Sequence, residues 1–298
     1  MLTELSLFSG IGGGLLGSEL LGWRAVGYVE WDRYCCSVLE QRIRDGLLED
    51  APVFEGDVRE FIAQGYAGAY TGMVDIVTGG PPCQGFSEAG KKLGEQDPRN
   101  MVPAMLDIVE IVRPAFVLIE NAPTRAYRNY LRDYALPRLA AMGFDAAWGV
   151  ISAEDAIWAE CYPGVPAIYH ERKRTWLLAA SVANAEKLGC NSRIYRTKSE
   201  QSPRDGSELV LPEDADAHGY RCTRTPILSR SRRSGQAETD TTGDAEAERI
   251  GGWWTSEREL VRLVHGLPNR VDRVRAAGNA QVPAVVRLAF ECLSGECR

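Results

Sequence analysis

The stretch Met73-Val74-Asp75-Ile76-Val77-Thr78-Gly79-Gly80-Pro81-Pro82-Cys83 joins an apolar run to a loop framed by glycine and proline. The apolar run, Met73–Thr78, is typical of a buried strand, and the glycines and prolines predict a stiff turn at its carboxyl end. The loop continues through Gln84-Gly85-Phe86-Ser87, so Cys83 belongs to the turn and not to the strand. A cysteine held in a rigid turn at the end of a strand indicates a catalytic nucleophile. A lone Pro-Cys pair, by contrast, is more often a buried thiol beside a turn.

Strand and helix patterns alternate along the first 180 or so residues. The apolar strand candidates are Leu2–Phe8, Ala25–Trp31, Val53–Asp57, Met73–Thr78, Ala115–Glu120 and Thr175–Ala180. Between two of them, Met101–Val112 has apolar residues at helical spacing and ends before Pro114. The alternation predicts an α/β fold with a doubly wound, mostly parallel sheet, in which ligands sit at the carboxyl ends of the strands.

Composition limits the class of protein. Of 298 residues, 45% are hydrophobic and 25% are charged, as in globular proteins. The start, MLTELSLFSG, lacks the pattern of a signal peptide, and no apolar run approaches the ~18 residues of a membrane span, so we expect a cytoplasmic protein with no membrane contact. The eight cysteines include no CxxC pair, so no metal site is predicted. The net charge of −7 argues against a protein that coats nucleic acid, but not against local DNA binding.

Composition changes after Val182. Residues 183–252 are rich in polar and charged residues and poor in aliphatic ones, which predicts a small, loop-rich or partly disordered insert. Within it, residues 193–233 carry nine basic and six acidic side chains, a weak positive surplus. Globular sequence returns at Trp253. We therefore expect a large domain of residues 1–182, an inserted module of residues 183–252, and a return to the large domain in residues 253–298.

Glycines and acids at strand ends indicate a nucleotide-type ligand. The loop Phe8-Ser9-Gly10-Ile11-Gly12-Gly13-Gly14 follows the first strand, and Gly12-x-Gly14-x-x-Gly17 fits the dinucleotide spacing, a weak signal when alone. Glu30-Trp31-Asp32 follows the second strand and Gly56-Asp57-Val58 the third. Each acid alone is more often a helix N-cap, but acids at successive strand ends predict a cofactor of the adenosine type.

Three further motifs carry candidate chemistry. Glu120-Asn121-Ala122 ends an apolar strand, where an acid is either structural or catalytic and where burial helps it to stay protonated. His170-Glu171-Arg172-Lys173-Arg174 is either a solvated basic turn or a pair of arginines, Arg172 and Arg174, placed on one strand face by alternation. Ala277-Gly278-Asn279-Ala280-Gln281-Val282-Pro283 predicts a turn before a helix.

Taken in order, the motifs FSGIGG, EWD, GD, GGPPCQGFS, IENA, HERKR and GNAQVP resemble the C5-cytosine DNA methyltransferase family. They frame the chain except for residues 183–252, where this family carries its target-recognition region. The resemblance implies a Rossmann-like methyltransferase fold with a small recognition insert and S-adenosyl-L-methionine as cofactor. It also implies double-stranded DNA as partner and is compatible with a cognate restriction endonuclease that acts separately. We expect a monomer, since one copy of the chain suffices for this chemistry.

The resemblance also implies roles for individual residues. The cofactor-binding residues would be Phe8, Gly10, Ile11, Gly12, Glu30, Trp31, Asp57, Val58, Pro81 and Asn279. Among them, Glu30 would bind the ribose, Trp31 would stack near the adenine, and Asp57 would contact its edge. The catalytic residues would be Cys83 as nucleophile, Glu120 as the acid at cytosine N3, Arg174 near the base O2, and Arg172 in the lining. The loop that closes over DNA would contain Gln84, Ser87 and Arg99.

The implied reaction suits these side chains. Cytosine C5 is a poor nucleophile, so a thiolate must add at C6 while a proton or hydrogen bond at N3 stabilises the charge on the ring. A methyl group then transfers to C5, and loss of the C5 proton expels the cysteine. A base inside a duplex must first be flipped out.

The sequence departs from the family pattern in three places, and three alternative functions are considered beside the one that the resemblance implies. Ala122 stands where valine is commoner, His170 replaces a usual glutamine, and Ala167-Ile168-Tyr169 lengthens a spacing.

An RNA cytosine C5 methyltransferase acting on tRNA would share the prolyl-cysteine chemistry. A nicotinamide dehydrogenase would leave the Pro-Pro-Cys-Gln loop and Glu120 unexplained. A non-enzymatic DNA-binding remnant would be expected to have lost the cysteine or the acid, and both are present.

Overall fold

One sheet of seven strands organises the part of the chain that the computed structural model describes, residues 1–82, 97–158, 172–185 and 269–295. The strands are β1 (Thr3–Leu7), β2 (Arg24–Glu30), β3 (Val53–Glu55), β4 (Ile76–Gly79), β5 (Phe116–Asn121), β6 (Phe144–Ile151) and β7 (Arg174–Ser181). Their spatial order is β3-β2-β1-β4-β5-β7-β6. Strands β1 to β5 pair in parallel, and β7 runs antiparallel to both of its neighbours. The doubly wound, mostly parallel sheet predicted from the sequence is confirmed.

Helices follow most strands. They are α1 (Gly13–Leu20), α2 (Arg33–Arg44), α3 (Val58–Ala63), α4 (Val102–Val112), α5 (Arg125–Tyr130), α6 (Leu136–Ala141), α7 (Ala153–Trp158), α8 (Val182–Ala185), α9 (Arg270–Asn279) and α10 (Pro283–Ser294). A 3₁₀ turn covers Tyr66–Tyr70, and a π-helical turn, Leu131–Ala135, joins α5 to α6. Local chemistry sets several starts: Asp32 caps α2 by accepting from Cys35 N at 3.2 Å, and proline occupies the first turn of α4 and of α10.

Both faces of the central strands are buried, which explains their nearly continuous apolar sequence. Leu5 and Leu7 of β1 belong to the core between the sheet and α4. On the opposite face, Ile76 and Phe116 pack with the apolar face of α10. The residues of this face recur at helical spacing, and they are buried.

The six strands predicted from the sequence are all present, but β6 was not predicted. Phe144–Ile151 is an edge strand whose residues after Phe144 are half-buried or exposed, and it contains two alanines and a glycine. It lacks the apolar run on which the other predictions depended, because most of its side chains are only half-buried.

The chain divides into two compact units, one of Met1–Cys222 with Asn279–Arg298 and one of Thr223–Gly278. In the second unit the described residues are 269–278, and they lie in α9 and the turn before it. The division of the sequence at residues 183 and 253 stays a prediction.

Candidate active site

Four parallel strands end side by side. Leu7 of β1 pairs with Val29 of β2 and with Gly79 of β4. Gly79 pairs in turn with Ile119 of β5. The residues that come next along each strand therefore lie at one edge of the sheet: Phe8, Glu30, Gly80 and Glu120. This edge is where the sequence predicted ligands to bind.

A tight loop connects β1 to α1 at this edge. Its backbone has positive φ at Phe8 (53°), Gly10 (55°) and Gly12 (85°). The turn is closed by a hydrogen bond from Gly12 N to Ser9 O at 2.9 Å, with Ile11 between them. A positive φ is unusual for phenylalanine, and such strain is commonest at functional sites.

Glu30 fixes this glycine loop to the end of β2. Its carboxylate is buried and accepts three backbone hydrogen bonds, from Gly10 N at 2.7 Å, Trp31 N at 2.9 Å and Asp32 N at 2.8 Å. Burial raises the pKa of Glu30, and these hydrogen bonds oppose the rise because they favour the charged form. Next to it, the Trp31 side chain is 73% exposed, so an apolar ring face is available beside an anchored carboxylate.

Asp57 caps α3. Its Oδ1 accepts from Arg59 N at 2.8 Å, and its Oδ2 pairs with the Arg59 guanidinium at 2.6 Å. These contacts hold the pKa of Asp57 below its usual value. The next residue, Val58, is buried in the core. The sequence analysis gave a helix N-cap as the alternative role of each acid, and Asp57 is such a cap. The contact of Asp57 with a cofactor stays a prediction.

Glu120 is the buried acid of the site. Its Oε1 pairs with Arg174 Nε at 2.7 Å, and its side chain is 11% exposed. Burial raises the pKa of Glu120, and the charges of Arg174 and Arg172 and a hydrogen bond from Gln281 oppose the rise. A carboxyl in these surroundings can hold its proton to a higher pH than an exposed one, yet a nearby cation stabilises the carboxylate once the proton has left.

Arg172 reaches the same site by a different route from the one predicted. Strand β7 begins at Arg174, and Arg172 precedes it with a φ of 26°, so strand alternation does not relate the two side chains. The Arg172 guanidinium is partly buried and donates to Ala280 O at 2.6 Å. Burial and the charge of Arg174 lower the pKa of Arg172. The two arginines do share one site, but the argument from alternation was wrong.

The entrance to the cysteine loop is anchored beside Glu120. Asn121, the next residue of β5, donates from Nδ2 to Pro81 O at 2.8 Å. On the other side of the loop, Met101 N donates to Pro82 O at 3.1 Å. Pro81 is buried, so the chain leaves β4 along a fixed path.

Three predicted residues, Cys83, Gln84 and Ser87, lie outside the described residues. Arg99 is described, and its guanidinium pairs with the buried carboxylate of Asp97 at 2.7 Å. Next to it, Asn100 donates to the Tyr130 hydroxyl at 2.9 Å. The chain that follows the cysteine loop is therefore held against α5 at Tyr130.

A cleft at the sheet edge joins the two predicted sites. Its lining includes Phe8, Gly10, Gly80, Glu120, Asn279 and Gln281. The structure thus brings the glycine loop, the acid and the Asn279 turn together. Other predicted residues do not line this cleft, although Glu30 holds Gly10 and Arg174 pairs with Glu120. Among them are Ile11, Gly12, Glu30, Trp31, Asp57, Val58, Pro81, Arg172 and Arg174.

Comparison with known proteins decides the family. Residues 2–262 match the family model of the C-5 cytosine-specific DNA methylase. The chain belongs to this family. The motif order read from the sequence therefore identified the correct family.

Curated relatives of this methylase chain are longer than the part they share with it. The type II methyltransferase M.NgoMIV of Neisseria gonorrhoeae is 32% identical over 156 residues, which are 51% of this chain and 46% of that protein. The type II methyltransferase M.AquIA of Picosynechococcus sp. is 40% identical over 114 residues, 37% of this chain and 43% of that protein. The match spans less than half the length of either relative. A solved E. coli prophage protein, described as a DNA modification methyltransferase, is 24% identical with a TM-score of 0.47, over 61% of this chain and 47% of that chain.

The sequence did not single out Gln281 of this methylase chain. It was quoted only as part of the GNAQVP motif, yet it contacts both the glycine loop and Glu120. A glutamine alone carries no signature, and only its place between two other motifs in space reveals it. In the described part of the chain, no group of three or more candidate ligands could hold a metal ion, and no helix is long and apolar enough to cross a membrane.

Proposed function

We propose that this chain is a DNA (cytosine-5-)-methyltransferase that uses S-adenosyl-L-methionine to methylate C5 of a cytosine flipped out of duplex DNA. One observation supports this most. A buried acid, Glu120, which pairs with Arg174, lines a cleft together with Phe8 and Gly10 of the glycine loop. Asn121 links the end of the same strand to the start of the Pro-Pro-Cys loop. An acid, a cysteine loop and a nucleotide-type loop at one sheet edge are the parts that this reaction requires.

The residues at the end of β2 fit the cofactor. The Glu30 carboxylate accepts three hydrogen bonds and has capacity for about one more, which a ribose hydroxyl would use. Beside it, the exposed face of Trp31 suits stacking on an adenine. When bound, S-adenosyl-L-methionine supplies an electrophilic methyl group. We assign Phe8, Gly10, Ile11 and Gly12 to its loop, and further contacts to Asp57, Val58, Pro81 and Asn279.

The chain's own residues would carry the covalent chemistry. The Cys83 thiolate adds to C6 of the base, and the electron pair of the C5–C6 double bond moves so that C5 becomes enamine-like. Glu120 donates its proton or a hydrogen bond to N3, and Arg174 and Arg172 stabilise the carboxylate that results. After C5 has gained the methyl group, it loses its proton to solvent water, N3 returns its proton to the Glu120 carboxylate, and the C6–S bond breaks to regenerate the thiolate.

Double-stranded DNA is the partner that we propose, with residues 183–252 as the region that reads the target sequence. Within this region, residues 193–233 carry nine basic and six acidic side chains, and this small surplus suits contact with phosphates in an otherwise acidic protein. Gln84, Ser87 and Arg99 would belong to the loop that closes over the DNA. We further propose that the enzyme acts as a monomer and that a cognate restriction endonuclease, where present, acts separately.

The deciding experiment supplies cofactor with a radiolabelled methyl group to the purified chain, together with duplex DNA or with tRNA. We expect label in duplex DNA and, after digestion to nucleosides, in 5-methylcytosine. Label in tRNA alone would reject the DNA assignment in favour of an RNA methyltransferase. Absence of label from both would favour a non-enzymatic DNA-binding remnant.

A further inference from the structure

Gln281 occupies the space between the glycine loop and the buried acid. It lies two residues after Asn279, just before α10, and it lines the same cleft as Glu120. Its backbone lies against Gly13, and its side chain lies against Gly14 and Glu120. Each contact limits which residue can occupy the facing position.

On one side, Gln281 rests directly on the first turn of α1. A Cβ atom at Gly13 would lie 2.4 Å from Gln281 O, and one at Gly14 would lie 2.3 Å from Gln281 Oε1. Both distances are far shorter than van der Waals contact. The backbone contact requires glycine at position 13, and a side chain at position 14 would displace the Gln281 amide, which lies against the helix that follows the cofactor loop.

On the other side, the amide reaches the acid. A Cβ atom at Gly80 would lie 3.0 Å from Glu120 Oε2 and 3.4 Å from Gln281 Nε2, so the two polar atoms meet above that glycine. The Gln281 side chain hydrogen-bonds the Glu120 carboxyl. The residue before it, Ala280, accepts the 2.6 Å hydrogen bond from Arg172.

We propose that Gln281 is the positioning residue of this site: its amide fixes Glu120 Oε2 while Arg174 fixes Oε1, so that the carboxyl has one orientation tied to the glycine loop. This inference rests on the proposed function. A donor at Oε2 holds the acid in line with the base, and it also stabilises the carboxylate that remains after N3 has taken the proton. Because Gln281 contacts both the first turn of α1 and Glu120, a shift of the cofactor loop would also shift the Glu120 carboxyl.

The first test is Gln281→Met, which keeps the length of the side chain and removes the hydrogen bond. We expect the affinity for S-adenosyl-L-methionine, measured by titration calorimetry, to stay within about threefold of wild type. The single-turnover rate of DNA methylation at saturating cofactor should fall by about tenfold to a hundredfold, the range for a hydrogen bond to a charged group. The alkaline limb of its pH–rate profile should move to higher pH, because the carboxylate of Glu120 has lost a donor.

The second variant, Gln281→Glu, separates positioning from space filling. It has nearly the same shape but places a second carboxyl beside Glu120, so the alkaline limb should move further up than in Gln281→Met. Gln64→Met, at an exposed glutamine that ends α3, is the matched control and should behave as wild type. If Gln281→Met does not fold, Gln281→Leu replaces it, with the same expected rate and the same expected shift of the alkaline limb.

Rates and pH limbs equal to those of wild type in both variants would overturn the inference. A slower rate with an unmoved alkaline limb would overturn it as well, because that result would mean that Gln281 only fills space. An inactive wild-type protein on both DNA and tRNA would instead reject the proposed function, and the inference with it.

Discussion

Glu4 is the most unusual ionisable group in the described core. It lies in β1, fully buried on the sheet face that packs against α1 and α10, and its Oε1 accepts from Thr78 Oγ1 at 2.5 Å. Among the described residues, Glu4 Oε2 has no direct hydrogen-bond partner. Burial raises the pKa of Glu4 from 4.5 to about 7, and hydrogen bonding by the hydroxyls of Thr78 and Ser18 opposes part of the rise. The folded protein therefore prefers Glu4 protonated.

The cost of this buried acid depends on pH. The folded state holds the Glu4 proton up to about pH 7, whereas the unfolded chain releases it near pH 4.5. Between these values the folded state binds more protons, so its stability falls as pH rises. From pH 5 to pH 8 the loss from this one group is about 2 to 3 kcal/mol, since each pKa unit corresponds to roughly 1.4 kcal/mol.

Glu4→Gln should remove this loss. The amide can still accept from Thr78, and it cannot ionise. In urea unfolding measured at several pH values, the free energy of unfolding of Glu4→Gln minus that of wild type should rise by about 2 to 3 kcal/mol between pH 5 and pH 8. Glu40→Gln, at an exposed glutamate on α2, is the control and should follow wild type. A constant difference between Glu4→Gln and wild type across this range would refute the reasoning.

Three further predictions concern the proposed reaction and its cofactor. Cys83→Ser should abolish methyl transfer while cofactor binding, measured by calorimetry, persists; retained turnover would remove Cys83 from the mechanism. Asp57→Ala should weaken cofactor binding and cost about 0.5 to 2 kcal/mol of stability, because it removes the cap of α3. Asp57→Asn keeps the cap and isolates the cofactor effect, and an unchanged affinity in both variants would count against that role. Trp31→Ala should weaken cofactor binding roughly tenfold or more through lost stacking, with stability within about 0.5 kcal/mol of wild type because the side chain is 73% exposed; Trp31→Phe should recover most of the affinity, and an equal loss in Phe and Ala would argue against stacking.

The sheet was largely predictable because its central strands are buried on both faces. Apolar runs such as residues 116–119, which lie between Pro114 and Pro123, leave few alternatives to a buried strand. The edge strand Phe144–Ile151 escaped prediction because it is half-exposed, and its pairing with Arg174–Ser181 depends on tertiary contact. Composition alone carries no information on such a pairing.

The site was predictable in its parts and less so in its geometry. Motifs placed Glu30 and Glu120 at the correct strand ends, because parallel strands end together. Arg172 shares the site of Arg174 but reaches it from outside the strand, with a positive φ that periodicity does not predict. Gln281 was missed because its contacts are with glycines and with one distant acid, and no spacing in the sequence records them.

In the proposed reaction, Cys83 forms and then breaks a bond to cytosine C6 while C5 is methylated. A duplex whose target cytosine carries fluorine at C5 tests it most directly, since release of the cysteine requires loss of the C5 proton and fluorine cannot leave in its place. With S-adenosyl-L-methionine present, the wild-type protein should become covalently joined to this duplex through Cys83, in a complex that survives denaturation and is located by peptide mapping. Cys83→Ser should form none. A wild-type protein that methylates the normal duplex but forms no such complex, or that is joined through another residue, would contradict the account.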